Sequence, residues 1–217
     1  MNDNIERNGN IIMLITIGIM LVVALVLYPS LPEELPRQWG IGGEVNSTWH
    51  KFYAVSVFPA LALFIWVGTY ILPKVDPRSE SYEKFGGFYM RFRVTLVVFM
   101  LGVHVITLTQ YDNPDAVIRL IFFGIGAILA VLGNELGRVH QTWFFGIRTP
   151  WTLADERVWK KTHRIGGRWF VAVGVLNMLT SLVLPEIPMF VVFMISLLGV
   201  SFGLMAYSYV LHRRFNG

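Results

Sequence analysis

Residues 11–28 read IIMLITIGIMLVVALVLY, an uncharged apolar stretch that decides the fold class. A helix of about 20 residues crosses the hydrocarbon core of a bilayer, so this segment is nearly long enough on its own. Hydrophobic residues make up 54% of the 217-residue chain, and they occur in blocks. Five further blocks have similar length, at 52–72, 94–111, 116–132, 169–184 and 189–211. The sequence therefore predicts an all-α, polytopic membrane protein with six transmembrane helices.

The distribution of basic residues predicts the orientation of these helices. If the N-terminus lies inside, 15 of the 18 Lys and Arg residues fall on the inner side. Only Arg37, Lys51 and Arg119 remain outside. Cytoplasmic loops of membrane proteins carry an excess of Lys and Arg, so both termini are predicted to be cytoplasmic. A cleaved signal peptide is the alternative for the first segment, but its leader has one basic residue and no A-x-A site follows.

The composition excludes several kinds of chemistry. The chain has no cysteine, which rules out disulfides, thiolate metal sites and cysteine nucleophiles. Its histidines fall at no spacing typical of a metal site, and no hydrolase elbow, P-loop or pair of membrane aspartates is present. We therefore expect no catalytic residue, no metal, no cofactor and no direct contact with nucleic acid. The five histidines are His50, His104, His140, His163 and His212.

The first predicted outer loop, residues 30–51, reads SLPEELPRQWGIGGEVNSTWHK. Its two Leu-Pro pairs favour an extended, stiff start, and Gly42 with Gly43 marks a turn. Trp39 and Trp49 flank that turn. Aromatic surface and exposed backbone are typical of sites that bind peptides, so these four residues form a candidate peptide-binding loop. The alternative is a lid that seals the helix bundle, with both tryptophans at the membrane interface.

A predicted inner loop, residues 144–163, reads FFGIRTPWTLADERVWKKTH. Pro150 favours extended geometry at Thr149, and Thr152 with Asp155 predicts a helix that starts near Leu153. The basic face of that helix is predicted to lie along anionic headgroups. An anchor that only fixes the topology is the alternative, but it leaves the turn at 146–152 unexplained. The basic face consists of Arg157, Lys161, Arg164 and Arg168.

Three polar residues fall within or near the ends of the predicted spans: His104, Arg119 and Asn177. Ionisable groups in a membrane usually face the bundle or a cavity and are candidates for function. Asp115 precedes Arg119 by four residues, the spacing of a local ion pair on a helix. His104 is expected either to transfer protons or to form a hydrogen bond with Asn177 or a threonine.

Two motifs carry a resemblance to a known family. The segment GIRTPWTLADERVWKKTH, residues 146–163, resembles the signature of the SdpI family of bacterial membrane proteins. The segment LPEELPRQWGIGGEVN, residues 31–46, is similar to the DUF1648-like module often fused in front of it, and the end AYSYVLHRRFNG also fits. The resemblance implies a DUF1648-like module at 1–72, with two transmembrane helices and the outer loop. It also implies an SdpI-like four-helix region at 73–217 with the inner loop.

The resemblance further implies a multi-pass protein of the bacterial cell membrane that binds or neutralises a secreted antimicrobial peptide. It also implies signalling, in which the inner face holds a cytoplasmic transcriptional repressor at the membrane. In this chain, the planar guanidinium of Arg148 would supply paired N–H donors, and Trp151 would anchor the interface. The docking surface as a whole would comprise Gly146, Arg148, Thr149, Pro150, Trp151, Thr152, Trp159 and His163.

Two alternatives remain open at this stage. One is a small proton-coupled transporter that uses His104, Arg119 and Asn177. The other is a membrane sensor without an immunity role. Membrane lipid is an expected partner in every case, and the sequence leaves the oligomeric state open.

Overall fold

The computed structural model describes residues 3–40 and 43–216, and helices dominate it. Six helices are long and apolar enough to cross a membrane, which confirms the all-α polytopic prediction for the described part of the chain. A short seventh helix, α5, precedes the fifth of them, and a 3-10 turn, Tyr28–Ser30, follows the first. The helices are α1 Asp3–Leu27, α2 Lys51–Val75, α3 Glu80–Thr109, α4 Pro114–Leu136, α5 Pro150–Ala154, α6 Glu156–Val183 and α7 Glu186–Asn216.

The tight turn between α3 and α4 is set by local sequence. The side chain of Asn113 accepts a hydrogen bond from the Ala116 N–H at 3.2 Å, and Pro114 occupies the first helical position. Proline suits this position because its missing N–H would have no partner inside the helix. The two helices therefore run antiparallel as neighbours, with only residues 110–113 between them.

The outer loop folds into a β-hairpin, which the prediction of an extended segment and a turn did not include. Strand β1, Glu34–Trp39, pairs antiparallel with β2, Val45–His50. Buried Leu31 and Leu35 fix the hairpin to the ends of the first three helices, because they pack with residues of α1, α2 and α3. Those residues are Ala24, Ala54, Val55 and Leu108.

An aromatic cluster occupies the opposite end of the bundle. The ring of Phe145, from the inner loop, lies 5.2 Å from that of Phe92 and 5.6 Å from that of Tyr89, centroid to centroid. Helix α3 deviates from helical geometry at Phe85, with φ −130° and ψ 20°, and Phe85 also packs on Phe145 at 6.0 Å. The inner loop is thus packed into the bundle.

Helices α4 and α6 approach each other through two pairs of glycines. A Cβ atom on Gly167 would lie 2.6 Å from the carbonyl oxygen of Gly133. A Cβ atom on Gly126 would lie 2.7 Å from that of Gly174. Small residues allow such close contact between membrane helices, where van der Waals packing replaces the hydrophobic effect as the driving force. The crossing fixes α6 relative to α4 and so positions the inner loop that joins them.

Candidate functional site

Two candidate sites lie at opposite ends of the bundle. The hairpin packs against the start of α2 and the end of α3, near Leu108. In the structure the inner loop comprises residues 138–155, between Gly137, the C-cap of α4, and α6, and it contacts Asp76, just beyond α2. The outer and inner sites are therefore separate.

Trp39 lies at the end of β1 and borders two small cavities. The first, of about 190 Å³, lies between the hairpin and the outer ends of α4 and α7. Its walls are mostly apolar, and Glu186 is the one acidic residue in its lining. The second, of about 70 Å³, lies behind the hairpin and is also bordered by Trp49. The first cavity, which we call the outer pocket, is lined by Trp39, Gly40, Ile118, Phe122, Glu186 and Phe190.

The indole N–H groups of Trp39 and Trp49 are buried, and neither has a hydrogen-bond acceptor among the described residues. A buried donor without an acceptor costs about 1–3 kcal/mol. Gly43 adopts φ +87° in the turn, a conformation that favours glycine. Gly42 lies outside the described residues.

Arg119 forms an ion pair at the edge of the outer pocket. Its Nη2 donates to Glu186 Oε1 at 2.8 Å, and its Nη1 donates to the Ser181 carbonyl oxygen at 3.1 Å. The expected pair with Asp115 is therefore wrong. Arg119 points instead towards the ends of α6 and α7, where a helix-terminal carbonyl and a partly buried carboxylate offer stronger acceptors than an exposed aspartate.

The inner loop turns at Gly146, which adopts φ +111°. A Cβ atom there would lie 2.6 Å from His163 Nε2 and 2.9 Å from the Trp159 ring, so the position has no room for a side chain. The next residue, Ile147, donates its N–H to His163 Nε2 at 2.9 Å. His163 Nε2 is therefore an acceptor, and its Nδ1 carries the proton for the contact with the Trp159 carbonyl at 2.9 Å. The turn is built onto these two α6 side chains.

Trp159 and His163 are buried in the protein, with exposed fractions of 0% for both. Their rings stack at a centroid distance of 3.9 Å, and Trp159 Nε1 donates to the Val139 carbonyl at 2.8 Å. The expectation that they belong to a docking surface is corrected here, because burial keeps a partner from reaching either side chain. Their hydrogen bonds hold the two ends of the inner loop together.

Thr149 and Thr152 form a reciprocal cap at the start of α5. The Thr149 hydroxyl accepts from the Thr152 N–H at 3.1 Å, and the Thr152 hydroxyl accepts from the Thr149 N–H at 2.8 Å. Thr149 also bonds to Ser208 of α7 at 3.0 Å. Both threonines are buried, so they too are unavailable to a docking partner. The helix begins at Pro150, not near Leu153, because Thr149 is the cap.

A second helix start follows at Asp155, which caps α6. Its carboxylate accepts from the Arg157 N–H at 2.7 Å and pairs with the Arg157 guanidinium at 2.7 Å. These hydrogen bonds hold the pKa of the Asp155 carboxyl well below its usual range. The basic helix predicted to lie along the headgroups is the first part of α6, which continues without a break into the span. The face of this first part opposite its basic residues is buried in the protein.

The exposed part of the inner loop is smaller than predicted. Trp143 and Phe144 are 45% and 43% exposed, and Arg148 and Pro150 are also exposed. Arg148 Nη1 donates to the Trp143 carbonyl at 2.9 Å, which fixes its position next to that tryptophan. Trp151 is half-buried against the Tyr209 ring at 5.0 Å. We call Trp143, Phe144, Arg148 and Pro150 the inner patch.

Asp76, which the sequence reading missed, anchors the inner loop. Its Oδ2 accepts from the N–H groups of Trp143 and Phe144 at 3.0 and 3.1 Å and from the Tyr82 hydroxyl at 3.1 Å. The residue is only 4% exposed. The Asp-Pro pair at 76–77 is a turn signal that could have drawn attention to it.

Removing the Asp76 carboxylate should loosen the inner loop. In Asp76→Ala, two loop N–H groups lose a charged acceptor, and each such bond contributes about 1.5–3 kcal/mol. We expect trypsin to cut the purified protein after Arg138 or Arg148 at least about tenfold faster, as followed by mass spectrometry. Asp112→Asn, an exposed position in the outer turn, is the control. Equal cleavage of Asp76→Ala and the parent protein would contradict the anchoring role.

Arg93 is a second residue that the sequence analysis did not single out. It is 1% exposed and donates to the side chains of Thr69 at 2.9 Å and Asn10 at 3.2 Å. Trp66 Nε1 donates to the same Asn10 oxygen at 3.0 Å. No carboxylate is paired with Arg93 in the part of the chain that the structure describes. These bonds tie α1, α2 and α3 together at their inner ends.

The structure does not bring the three intramembrane polar residues together. His104 on α3 contacts the Met20 carbonyl of α1 at 3.1 Å, so the expected partner, Asn177 or a threonine, is wrong. Asn177 on α6 donates to Ser196 of α7 at 3.2 Å, and Arg119 lies between α4 and the ends of α6 and α7. Over residues 3–40 and 43–216, no group of three or more His, Asp or Glu side chains could hold a metal ion.

Comparison with known proteins matches the two sites to two family models. A domain of unknown function, DUF1648, matches residues 15–63, which include the hairpin. The SdpI/YfhL protein family matches residues 138–208, which include the inner loop. The immunity protein SdpI of Bacillus subtilis (strain 168) is 28% identical over 208 residues, which is 96% of this chain and 98% of that protein. No solved structure matches.

Proposed function

We propose that this chain, in which residues 15–63 match DUF1648 and residues 138–208 match the SdpI/YfhL protein family, is an immunity protein of the bacterial cell membrane. Its outer face binds a secreted antimicrobial peptide and neutralises it. The proposal also places both termini in the cytoplasm, so that the hairpin faces the side from which a peptide arrives.

The outer pocket is the observation that carries this proposal. Phe122 and Phe190 supply apolar wall, and burial of apolar surface contributes about 25 cal/mol per Å². The buried N–H of Trp39 has no acceptor within the described chain. A hydrophobic peptide supplies an apolar side chain for the wall, and a small shift of the Trp39 indole on binding would bring its N–H to a backbone carbonyl of the peptide. The pocket thus fits one anchor residue of a peptide.

The hairpin adds a second means of holding a peptide. In a two-stranded sheet, each strand has one edge without a partner strand. Pro36 removes a backbone donor from β1, whereas β2, Val45–His50, contains no proline. An extended peptide would therefore pair better with β2, through backbone hydrogen bonds that require no particular sequence.

The inner patch supports the second part of the proposal, in which a cytoplasmic transcriptional repressor docks on the protein. Two exposed aromatic rings beside a positioned guanidinium are typical of the centre of a protein interface. Trp143 and Arg148 have this arrangement, and Asp76 holds the loop that carries them. A sensor without immunity would use the same patch, so only the response to the peptide distinguishes it. The transporter alternative gains no support, because His104, Arg119 and Asn177 contact different neighbours.

Cysteine labelling tests whether a peptide occupies the outer pocket, and the absence of native cysteine makes the measurement specific. We expect the peptide toxin of the related immunity system to slow maleimide labelling of Ile118→Cys by about tenfold or more, because that side chain lines the pocket. Ser30→Cys, exposed at the outer end of α1, should label at the same rate with and without peptide. Equal labelling of Ile118→Cys in both conditions would remove the pocket from the proposal.

A further inference from the structure

A basic groove between α4 and α6 remains outside the proposed function. Its volume is about 460 Å³, and it lies beside the glycine crossing, with Gly133, Gly137 and Gly167 along its floor. The guanidinium-bearing residues Arg164 and Arg168 form its α6 side. No acidic residue of the described chain lines it. We call this feature the arginine groove.

The two arginines of the groove differ from the basic residues that precede them on α6. Arg157 is paired with Asp155 at 2.7 Å, and Lys160 is paired with Glu156 at 2.9 Å. Lys161 lies over the Phe215 ring at 4.7 Å. Within the described ranges, Arg164 and Arg168 have neither an ion pair nor a side-chain hydrogen bond, although both are exposed.

The nearest acidic residue of α4 is already engaged. Glu135 pairs with Arg138 at 2.8 Å and with Arg91 at 3.3 Å, and its side chain is only 14% exposed. The protein therefore places two uncompensated positive charges on the same wall of one cavity. An oxyanion is the ligand that complements them.

The groove lies where α6 changes from polar to apolar surface. Trp169, which follows Arg168 directly, is 40% exposed, and further along the helix the exposed residues are apolar. Tryptophan at such a boundary is typical of the headgroup level of a membrane. The apolar residues that follow include Val175, Leu176, Leu179 and Leu182.

We propose that the arginine groove binds the phosphate of an anionic phospholipid from the inner leaflet. Arg164 and Arg168 bind the phosphate oxygens, and Asn134 on the α4 side is placed to hydrogen-bond to the headgroup. The glycines leave the room that the headgroup occupies. The lipid's acyl chains then extend along the apolar part of α6. The inference does not depend on the proposed function, because the groove is at the opposite end of the bundle from the outer pocket.

The test measures lipid binding to the purified full-length protein by native mass spectrometry. Dioleoyl phosphatidylglycerol should bind more tightly than dioleoyl phosphatidylcholine. In the double variant Arg164→Gln, Arg168→Gln, its apparent affinity should fall by about 25-fold, roughly fivefold for each arginine. Lys161→Gln removes one charge from the same helix outside the groove and should change the affinity by less than about twofold.

A substitution that fills the arginine groove provides an independent test. A Cβ atom on Gly137 would meet only the Arg164 Cα, at 3.7 Å, so Gly137→Val fits the fold while its methyl groups occupy the cavity. Gly137→Val should weaken phosphatidylglycerol binding although both arginines remain. The double variant Arg164→Lys, Arg168→Lys keeps both positive charges and should retain most of the binding.

Three results would overturn the proposal. One is an unchanged affinity for phosphatidylglycerol both in the double variant Arg164→Gln, Arg168→Gln and in Gly137→Val. Another is equal occupancy by inorganic phosphate at the same concentration, which would identify a site for free phosphate. The third is a dimer that the same substitutions dissociate, which would identify the groove as a contact between copies of the chain.

Discussion

Gly146→Ala is expected to lower the stability of the protein more than any other single methyl addition to the inner loop. Alanine at φ +111° is strained, and its Cβ would lie 2.6 Å from His163 Nε2. The hydrogen bond from Ile147 would have to lengthen. Together these effects cost about 3 kcal/mol, so we expect the unfolding temperature to fall by about 5–10 °C in detergent.

Gly199→Ala is the matched control, because a Cβ atom at Gly199 meets nothing within 4 Å. Alanine is also a better helix former than glycine, so this variant should unfold at the same or a slightly higher temperature. The account of the inner turn would be contradicted by a Gly146→Ala protein that unfolds at the parent temperature. It would also be contradicted if both variants lost the same stability.

On the proposed function, Trp39→Ala is expected to abolish most of the protection of cells against the peptide. Truncating a central aromatic residue typically costs at least about 2 kcal/mol of binding, so the peptide concentration that cells tolerate should fall by about 30-fold. Trp39→Phe keeps an aromatic wall but removes the N–H that lacks an acceptor in the described chain. For Trp39→Phe, we expect the peptide concentration that cells tolerate to fall by about fivefold, which corresponds to the loss of one hydrogen bond. Survival curves at graded peptide concentrations measure both effects.

Trp169→Phe is the control for these substitutions, since Trp169 is on α6, away from the outer pocket. It should leave the survival curve unchanged at equal protein level in the membrane. Full protection by Trp39→Ala would place peptide binding elsewhere. Equal losses in Trp39→Ala and Trp39→Phe would assign the whole effect to the indole N–H.

The membrane fold was predictable because apolar blocks of nearly bilayer length have few other uses in a protein. The cap at Asn113 was predictable for a similar reason, since Asn before Pro and Asp is a strong local signal for a helix start. Such features depend on residues close in sequence. They do not require knowledge of how the helices pack.

The partners of polar side chains were not predictable, because they depend on packing between helices. Arg119 pairs with Glu186, 67 positions away, although Asp115 is at the local spacing. The inner-loop motif combines buried and exposed residues, since His163 is buried while Arg148 is exposed. The sequence shows them as equal members of one motif. The hairpin was missed because its strands alternate poorly, with Pro36 interrupting the first.

The proposed immunity is tested most directly by survival of a sensitive Gram-positive strain exposed to a secreted antimicrobial peptide of the kind that the family resemblance implies. Membrane potential is read in the same cells, with and without this protein at a verified level in the membrane. Cells with the protein should keep their potential and survive, whereas Trp39→Ala cells should not. Cells that contain the protein and still lose both potential and viability at the parent strain's peptide concentration would contradict the proposed immunity.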